Sequence, residues 1–392
     1  MGILSNPVVF SPISGGCDLL VVAGEASGDE HAARLVWDLL AQKPCMKISS
    51  LGGNELKSAG AELVFPLAQH AVVGLWEVLK NYRLFKEIFE ATIQWIKENQ
   101  PKCVLLVDYP GFNLRLAKAL KQHGISCKGG GEIKILQYIS PQLWAWKANR
   151  RFEMAETLDA LGIIFPFEQE CYSDVSLPVS FVGHPFSHPS YQSPVVFDET
   201  GDLLLLPGSR SQPVSRILPS FLDAFEILLE GGRELNGILP VSDSSIRRLV
   251  ENLLASRTKL GGRIKVVDKD SKLQARAALM SSGTMSLSCA WAGVPGVIGY
   301  RAHPLTYLIG RFLVKVPHLG MANLLLPKNA PNPEFLQNQA NGPRLAREIG
   351  KILDDPKSGE HAGESAKKLH KLLAQPQELS LIDWLVQEGK LG

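Results

Sequence analysis

The chain has 392 residues, more than a single hydrophobic core usually serves, so two domains are expected. Its composition, 45% hydrophobic and 20% charged, is that of an ordinary globular protein. A formal net charge of +2 gives no case for nucleic acid as a partner, although a local basic patch remains compatible with it.

The opening stretch MGILSNPVVFSPISGGCDLL lacks a basic flank and a continuous apolar core, so it does not read as a signal peptide. Asn6 occupies the position at which a myristoylation signal needs Ser or Thr. CDLLVVAG then reads as a strand and EHAARLVWDLLAQ as a helix. In the turn between them, Ser27 and Glu30 form an S-x-x-E capping box. Gly24 and Gly28 let backbone approach a ligand, but the spacing is not G-x-G-x-x-G and no P-loop lysine follows. Further on, VVGLWEVLKNYRLFKEIFE carries an apolar stripe of Leu75, Val78, Leu79, Tyr82, Phe85 and Phe89, with Trp76, Leu84 and Ile88 beyond it. With Lys80, Arg83 and Lys86 interleaved, it reads either as a broad core helix or as a face for a membrane interface or acyl chain.

CVLLVDYPG and NLRLAKALKQHG repeat the strand–helix pattern. Asp108 follows the strand, where a lone Asp is more often a turn or cap residue than a base unless a partner motif joins it. CKGGGEIK at 127–134 reads as a flexible hairpin or loop. In SPQLWAWKANRR, Trp144 and Trp146 suit core packing on an irregular strand, while Lys147, Arg150 and Arg151 leave room for a phosphate-bearing acceptor. The Pro/Ser-rich stretch 183–202 reads as the interdomain linker.

Leu203 to Leu206 suit a strand covered on both faces, and Pro207-Gly208-Ser209 is turn chemistry before a helical pattern. Arg210 thus stands between a buried strand and a helix N-terminus, either as a phosphate ligand or as a surface cap. RIKVVD is another strand, and the Asp268 and Asp270 after it read as turn residues or as ligands for a divalent metal. Ser282, Gly283 and Thr284 precede a short helix, which places a second anion-facing loop in the same half as Arg210 and favours its phosphate role. No apolar run approaches the ~18 residues of a membrane-spanning helix, so a soluble or peripheral protein is expected. Six cysteines without a CxxC pair disfavour a disulfide framework or zinc site and suit a reducing cytoplasm. The alternation predicts an α/β protein of two doubly wound domains facing each other across a cleft.

The runs AGEASGDEHAARL, LGGNELKSAG, VVGLWEVL, VDYPGFN, YISPQLWAWKANR, FPFEQECY, FVGHP, LLPGSR, SSGTMSL, GVPGVIGYR, NLLL and PEFLQ span roughly residues 19 to 337. Together they resemble the lipid-A-disaccharide synthases, inverting glycosyltransferases of GT-B type with two Rossmann-like domains. The resemblance implies transfer from UDP-2,3-diacylglucosamine to the 6-hydroxyl of 2,3-diacylglucosamine 1-phosphate, giving a β-1,6 disaccharide phosphate and UDP. It implies Asp108 as base and Arg210 as stabiliser of the leaving diphosphate, with no metal and no cofactor. UDP-sugar contacts are expected from Glu25, Ser27, Ser209, Ser282, Gly283, Thr284, Ser288, Asn323, Glu334 and Gln337. Acceptor or lipid contacts are expected from Trp76, Glu77, Asn113, Trp144, Trp146, Lys147 and Arg150. The implied domains are 1–186 for the acceptor, 187–355 for the UDP-sugar, and a helical segment 356–392 packing back on the N-terminal domain or on a second copy of the chain in a homodimer. The expected place is the cytoplasm, peripheral on the cytoplasmic face of the inner membrane.

The sequence departs from that family at several positions. Ser288 stands where Glu is usual for the ribose, Pro213 where an acid is common, His188 for Asp, Leu56 for Met and Lys147 for Arg. Two other readings compete. One is another GT-B protein using UDP-N-acetylglucosamine, a transferase or an epimerase; the other is a weakened, lipid-binding relative.

Overall fold

The computed structural model describes residues 8–13, 15–70, 82–260, 262–302, 316–377 and 379–392. The apolar runs become strands because almost every residue in them is shielded on both faces: all five residues of β1 (Leu19–Ala23) and of β4 (Cys103–Val107) are buried. With β2 (Ile48–Leu51), β3 (Glu62–Phe65), β5 (Lys134–Tyr138), β6 (Ala160–Ile163) and β7 (Val179–Phe181) they form a seven-stranded sheet, ordered β3-β2-β1-β4-β5-β6-β7. Every pairing in it is parallel.

The second sheet has six strands: β8 (Val195–Leu206), β9 (Gly237–Val241), β10 (Ile264–Asp268), β11 (Leu273–Met280), β12 (Gly296–Tyr300) and β13 (Glu334–Leu336). Its order is β10-β9-β8-β11-β12-β13, again all parallel. Strand order reverses between β1 and β4 in one sheet and between β8 and β11 in the other. At such a reversal the connecting helices leave to opposite faces, which opens a crevice beyond the carboxyl ends of the two central strands. The expected pair of doubly wound α/β domains is thus present, each with its own hydrophobic core.

The chain divides into one unit running through His188 and resuming at Gln375–Gly392, and another of Pro189–Ala374. The stretch 183–202 is mostly not a linker. His184 is buried in the first unit, and Val195 already begins β8. The segment 356–392 is not one body either. Helix Ser358–Leu373 belongs to the second unit, where the His370 ring lies 3.9 Å from that of Trp291. Helix Leu381–Glu388 belongs to the first, with the fully buried Trp384 ring 3.2 Å from the space above Gly162 on β6.

The expected capping box does not form. Helix Ala26–Gln42 starts one residue before Ser27, with Glu25 at its N-cap making no side-chain cap bond, and Glu30 pairs instead with Arg34 at 2.8 Å. The acid that matters locally is Asp29, which is 3% exposed and accepts from the N–H groups of Gly53 at 2.7 Å and Glu55 at 3.1 Å. It thereby fastens the GEASGDE turn to the LGGNE turn that opens helix Asn54–Ser58.

Candidate functional site

In the first unit, β1 delivers Gly24 to Ser27 and β4 delivers Asp108 to the crevice edge. Gly24 has no substitute here, because a Cβ at that point would run into the Tyr109 ring. Asp108 and Tyr109 both adopt left-handed backbone conformations, with φ of 47° and 46°, and on the neighbouring strand end Ile139 does so at 69°. Such conformations cost non-glycine residues on the order of 1–3 kcal/mol each and persist only where surroundings enforce them. Two buried amides provide that enforcement. Asn113 Nδ2 donates to the carbonyls of Asp108 at 2.8 Å and Val107 at 3.2 Å. Gln137 Nε2 donates to those of Asp108 and Ile139, each at 3.2 Å.

The loops after β5, β6 and β7 add to the same sheet edge. Trp144 is half-buried and meets Phe167 edge-on at 5.7 Å. Trp146 is 37% exposed, with Lys147 Nζ 4.6 Å from its ring centre and the Arg150 guanidinium at 5.3 Å. Burial and then the charges of Arg150 and Arg115 hold the Lys147 ammonium below its usual range, the mark of a crowded positive cluster suited to an anion.

Glu168 lies 2% exposed in the FPFE turn and accepts from the Phe165 N–H at 3.2 Å. Burial pushes its carboxyl up to about 8, and the negative charge of Asp108 adds to the rise, so Glu168 is mostly neutral at pH 7. Beside this, burial depresses His184 to about 3 and His31 to about 4, with His31 adding to the first and Arg34 to the second. Both imidazoles are therefore neutral.

In the second unit, β8 ends at Leu206 and β11 at Met280, on either side of the reversal point. Arg210 is exposed at the N-cap of helix Ser211–Glu230, with Ser209 beside it. Ser282, Gly283 and Thr284 open helix Thr284–Trp291, and Gly283 takes a φ of 156° that side-chain-bearing residues rarely reach. Two helix N-termini and an arginine therefore meet one sheet edge, an arrangement that receives anions. Asp268 is engaged elsewhere, accepting from Arg247 at 2.8 Å.

Several expected ligand residues are turned to internal duties. Ser288 is 2% exposed, and its hydroxyl donates back to the Thr284 carbonyl at 3.3 Å. Glu334 accepts from the N–H groups of Leu319 and Gly320 and from Asn323 Nδ2, at 2.8, 3.0 and 2.6 Å. Asn323 is fully buried and also binds the backbone of Asn332 on both its amide atoms. Gln337 pairs with the backbone N–H and carbonyl of Ala302. Asn113 is 0% exposed and its amide nitrogen donates to backbone carbonyls. All five thus have partners within the fold, which hold the backbone around the two sheet edges.

Trp76 and Glu77 lie outside the described residues. Of the apolar stripe around them, Ile88 is fully buried in the first core with Leu84 and Phe89 packed partly against it, so this part is a core helix rather than a membrane face. Glu168 and Gln137 were not singled out in the sequence. For Glu168 a signal existed, an acid inside the aromatic FPFEQECY turn; Gln137 sits in an ordinary strand pattern and gave none.

With the geometry in view, comparison with known proteins is informative. The sequence model of the Lipid-A-disaccharide synthetase family matches residues 19–381. Lipid-A-disaccharide synthase 1 of Legionella pneumophila is 35% identical over 380 residues, covering 94% of this chain and 97% of that protein. The lipid-A-disaccharide synthase of Geobacter metallireducens is 36% identical, covering 86% and 88%. Among solved structures, the S. aureus MnaA–UDP co-structure aligns with a TM-score of 0.57 at 12% identity over 89% of this chain and 91% of that one. Acinetobacter baumannii MurG aligns with 0.51 at 11% identity, over 96% and 100%. At such identity these two speak for the GT-B fold alone. The family match over residues 19–381, together with relatives 35–36% identical over most of their length, means that the chain belongs to the lipid-A-disaccharide synthase family, glycosyltransferases that form the disaccharide of lipid A.

Proposed function

We propose that the chain transfers the glucosaminyl unit of UDP-2,3-diacylglucosamine to the 6-hydroxyl of 2,3-diacylglucosamine 1-phosphate with inversion at the anomeric carbon. The observation that carries this reading is the placement of chemistry at both reversal points: Asp108 on one sheet edge, Arg210 with the Ser282–Thr284 loop on the other. The acceptor oxygen attacks the anomeric carbon as its proton passes to Asp108, and the bond from that carbon to the diphosphate oxygen breaks with its electron pair leaving on UDP. Arg210, Ser209 and the two helix N-termini meet the charge that develops there. Glu168, neutral through burial, adds no second negative charge beside the base. Lys147 and Arg150 receive the acceptor phosphate, and Glu25 and Ser27 line the donor side.

Substrates that carry acyl chains support a peripheral protein at a membrane surface, which this reading takes to be the cytoplasmic face of the inner membrane. No helix among the described residues is long and apolar enough to cross a membrane. The exposed Trp146 beside Lys147 and Arg150, and Phe152 beside Arg151, with the exposed Phe167 on the loop after β6, suit an anionic lipid surface. A homodimer belongs to the same proposal.

Incubation with both acylated substrates followed by product mass tests the reaction. The expected product is the acylated disaccharide 1-phosphate with one UDP released per bond formed. Turnover of UDP-N-acetylglucosamine with none of the acylated donor would overturn the reading in favour of another GT-B activity.

A further inference from the structure

Asp108 is held in place by groups that the reaction itself does not use. Its carbonyl accepts from two side-chain amides that arrive from different elements: Asn113 from the first turn of helix Pro110–Gln122 and Gln137 from the interior of β5. Both side chains are 0% exposed. The Asn113 amide also reaches Val107, and that of Gln137 also reaches Tyr138 at 3.4 Å and Ile139, so four carbonyls at the ends of β4 and β5 converge on two NH2 groups. The oxygens of the same amides, Asn113 Oδ1 and Gln137 Oε1, are buried without a hydrogen-bond partner. Leaving those acceptors unsatisfied is costly in an interior, so the donors are what this arrangement uses. Those donors act where the backbone is least favourable: Asp108, Tyr109 and Ile139 all have positive φ.

We propose that Gln137 and Asn113 are positioning residues that clamp the Asp108 carbonyl and thereby aim its carboxylate at the acceptor hydroxyl. The inference rests on the reading of Asp108 as base. Without the clamp the Asp108–Tyr109 turn relaxes toward ordinary dihedrals and swings the carboxylate away, because rotation about φ moves the whole side chain. Misplacement by about 1 Å costs on the order of a hundredfold in rate without altering the chemistry available.

The test is a double-mutant cycle on the full chain with the acylated substrates. Gln137→Met keeps the length and removes the donors; Asn113→Leu does the same from the other element. Each is expected to lower kcat about 10- to 100-fold, with KM for both substrates and UDP affinity by calorimetry nearly unchanged. Combined with Asp108→Asn, either change should lower the residual rate no further, since there is no longer a base to aim. A merely structural role would move the unfolding midpoint and the UDP-binding fraction instead, and its effect would multiply with that of Asp108→Asn. Unchanged kcat in both single variants, multiplicative losses in the cycle, or failure of both variants to fold would each overturn the clamp. Near-normal turnover in Asp108→Asn itself would instead overturn the assignment of the base, and the clamp with it.

Discussion

Arg210 carries a charge and also a shape. A guanidinium offers donors in a rigid fork that can serve two diphosphate oxygens at once, whereas an ammonium is a single point of charge. Arg210→Lys is therefore expected to lower kcat by about tenfold or more and to weaken product inhibition by UDP, with the unfolding midpoint unchanged because the residue is exposed. Equal kinetics for the two proteins would take Arg210 out of the site. Ser288 should show the reverse. Its hydroxyl is spent on the Thr284 carbonyl, so Ser288→Ala ought to leave UDP affinity within about twofold by calorimetry. A loss of about tenfold or more would mean that the hydroxyl reaches the ribose after all. At Glu168 the readout is pH. Its carboxyl is raised from 4.5 to about 8, so the stability tied to it is full below 4.5 and is lost as pH rises through about 8. Glutamine cannot ionise and loses nothing over that range. The midpoint of Glu168→Gln should therefore gain on that of the parent protein between about pH 5 and about pH 8. His31 and His184, whose depressed values withdraw stability as pH falls below 6.5 toward 4 and 3, are common to both proteins and cancel in the difference. A gap that does not change with pH would show Glu168 to be ionised in the native state.

At the scale of elements, apolar surface has to be sorted into core and contact. Helix Tyr82–Asn99 turns Ile88 into the core of the first unit, so Ile88→Ser should cost about 2–5 kcal/mol of stability while leaving vesicle binding of the folded fraction unaltered. Trp146 and Phe167 differ, both being exposed, Trp146 next to Lys147 and Arg150 and Phe167 against the Trp144 ring. Replacing both with Ser should shift the midpoint little but weaken association with anionic vesicles roughly tenfold in a sedimentation assay. If the double variant still bound vesicles as tightly as the parent, the lipid-facing surface would have to lie elsewhere.

For the whole molecule, the second crossing of the chain has a stability consequence. The residues after Ala374 complete the first unit, and the Trp384 ring closes over Gly162, where a Cβ would stand only 3.2 Å from it. Trp384→Ala should remove about 3–5 kcal/mol from the first unit alone. In calorimetry the transition of that unit should drop and that of Pro189–Ala374 stay in place. A drop in both would mean that the units unfold together.

The sequence by itself determined the α/β class, the repeated strand–turn–helix units and the motifs that end the strands, because shielding on both faces writes itself as unbroken apolar runs and turns need particular residues. From the motifs, Asp108, Arg210 and the Ser282–Thr284 loop were legible as candidates. What the side chains bind was not. Asn113, Asn323, Glu334 and Gln337 lie in or beside recognisable motifs, yet each is occupied by a backbone partner that only folding brings near, 91 residues away in the contact of Asn113 Nδ2 with the Val22 carbonyl at 3.5 Å; Ser288 turns back within its own helix. The strand orders, the return of the C-terminal helix and the burial that keeps Glu168 neutral were likewise decided by tertiary structure. Hydrogen-bond satisfaction and desolvation depend on what surrounds a group in space, which neighbours in sequence do not specify.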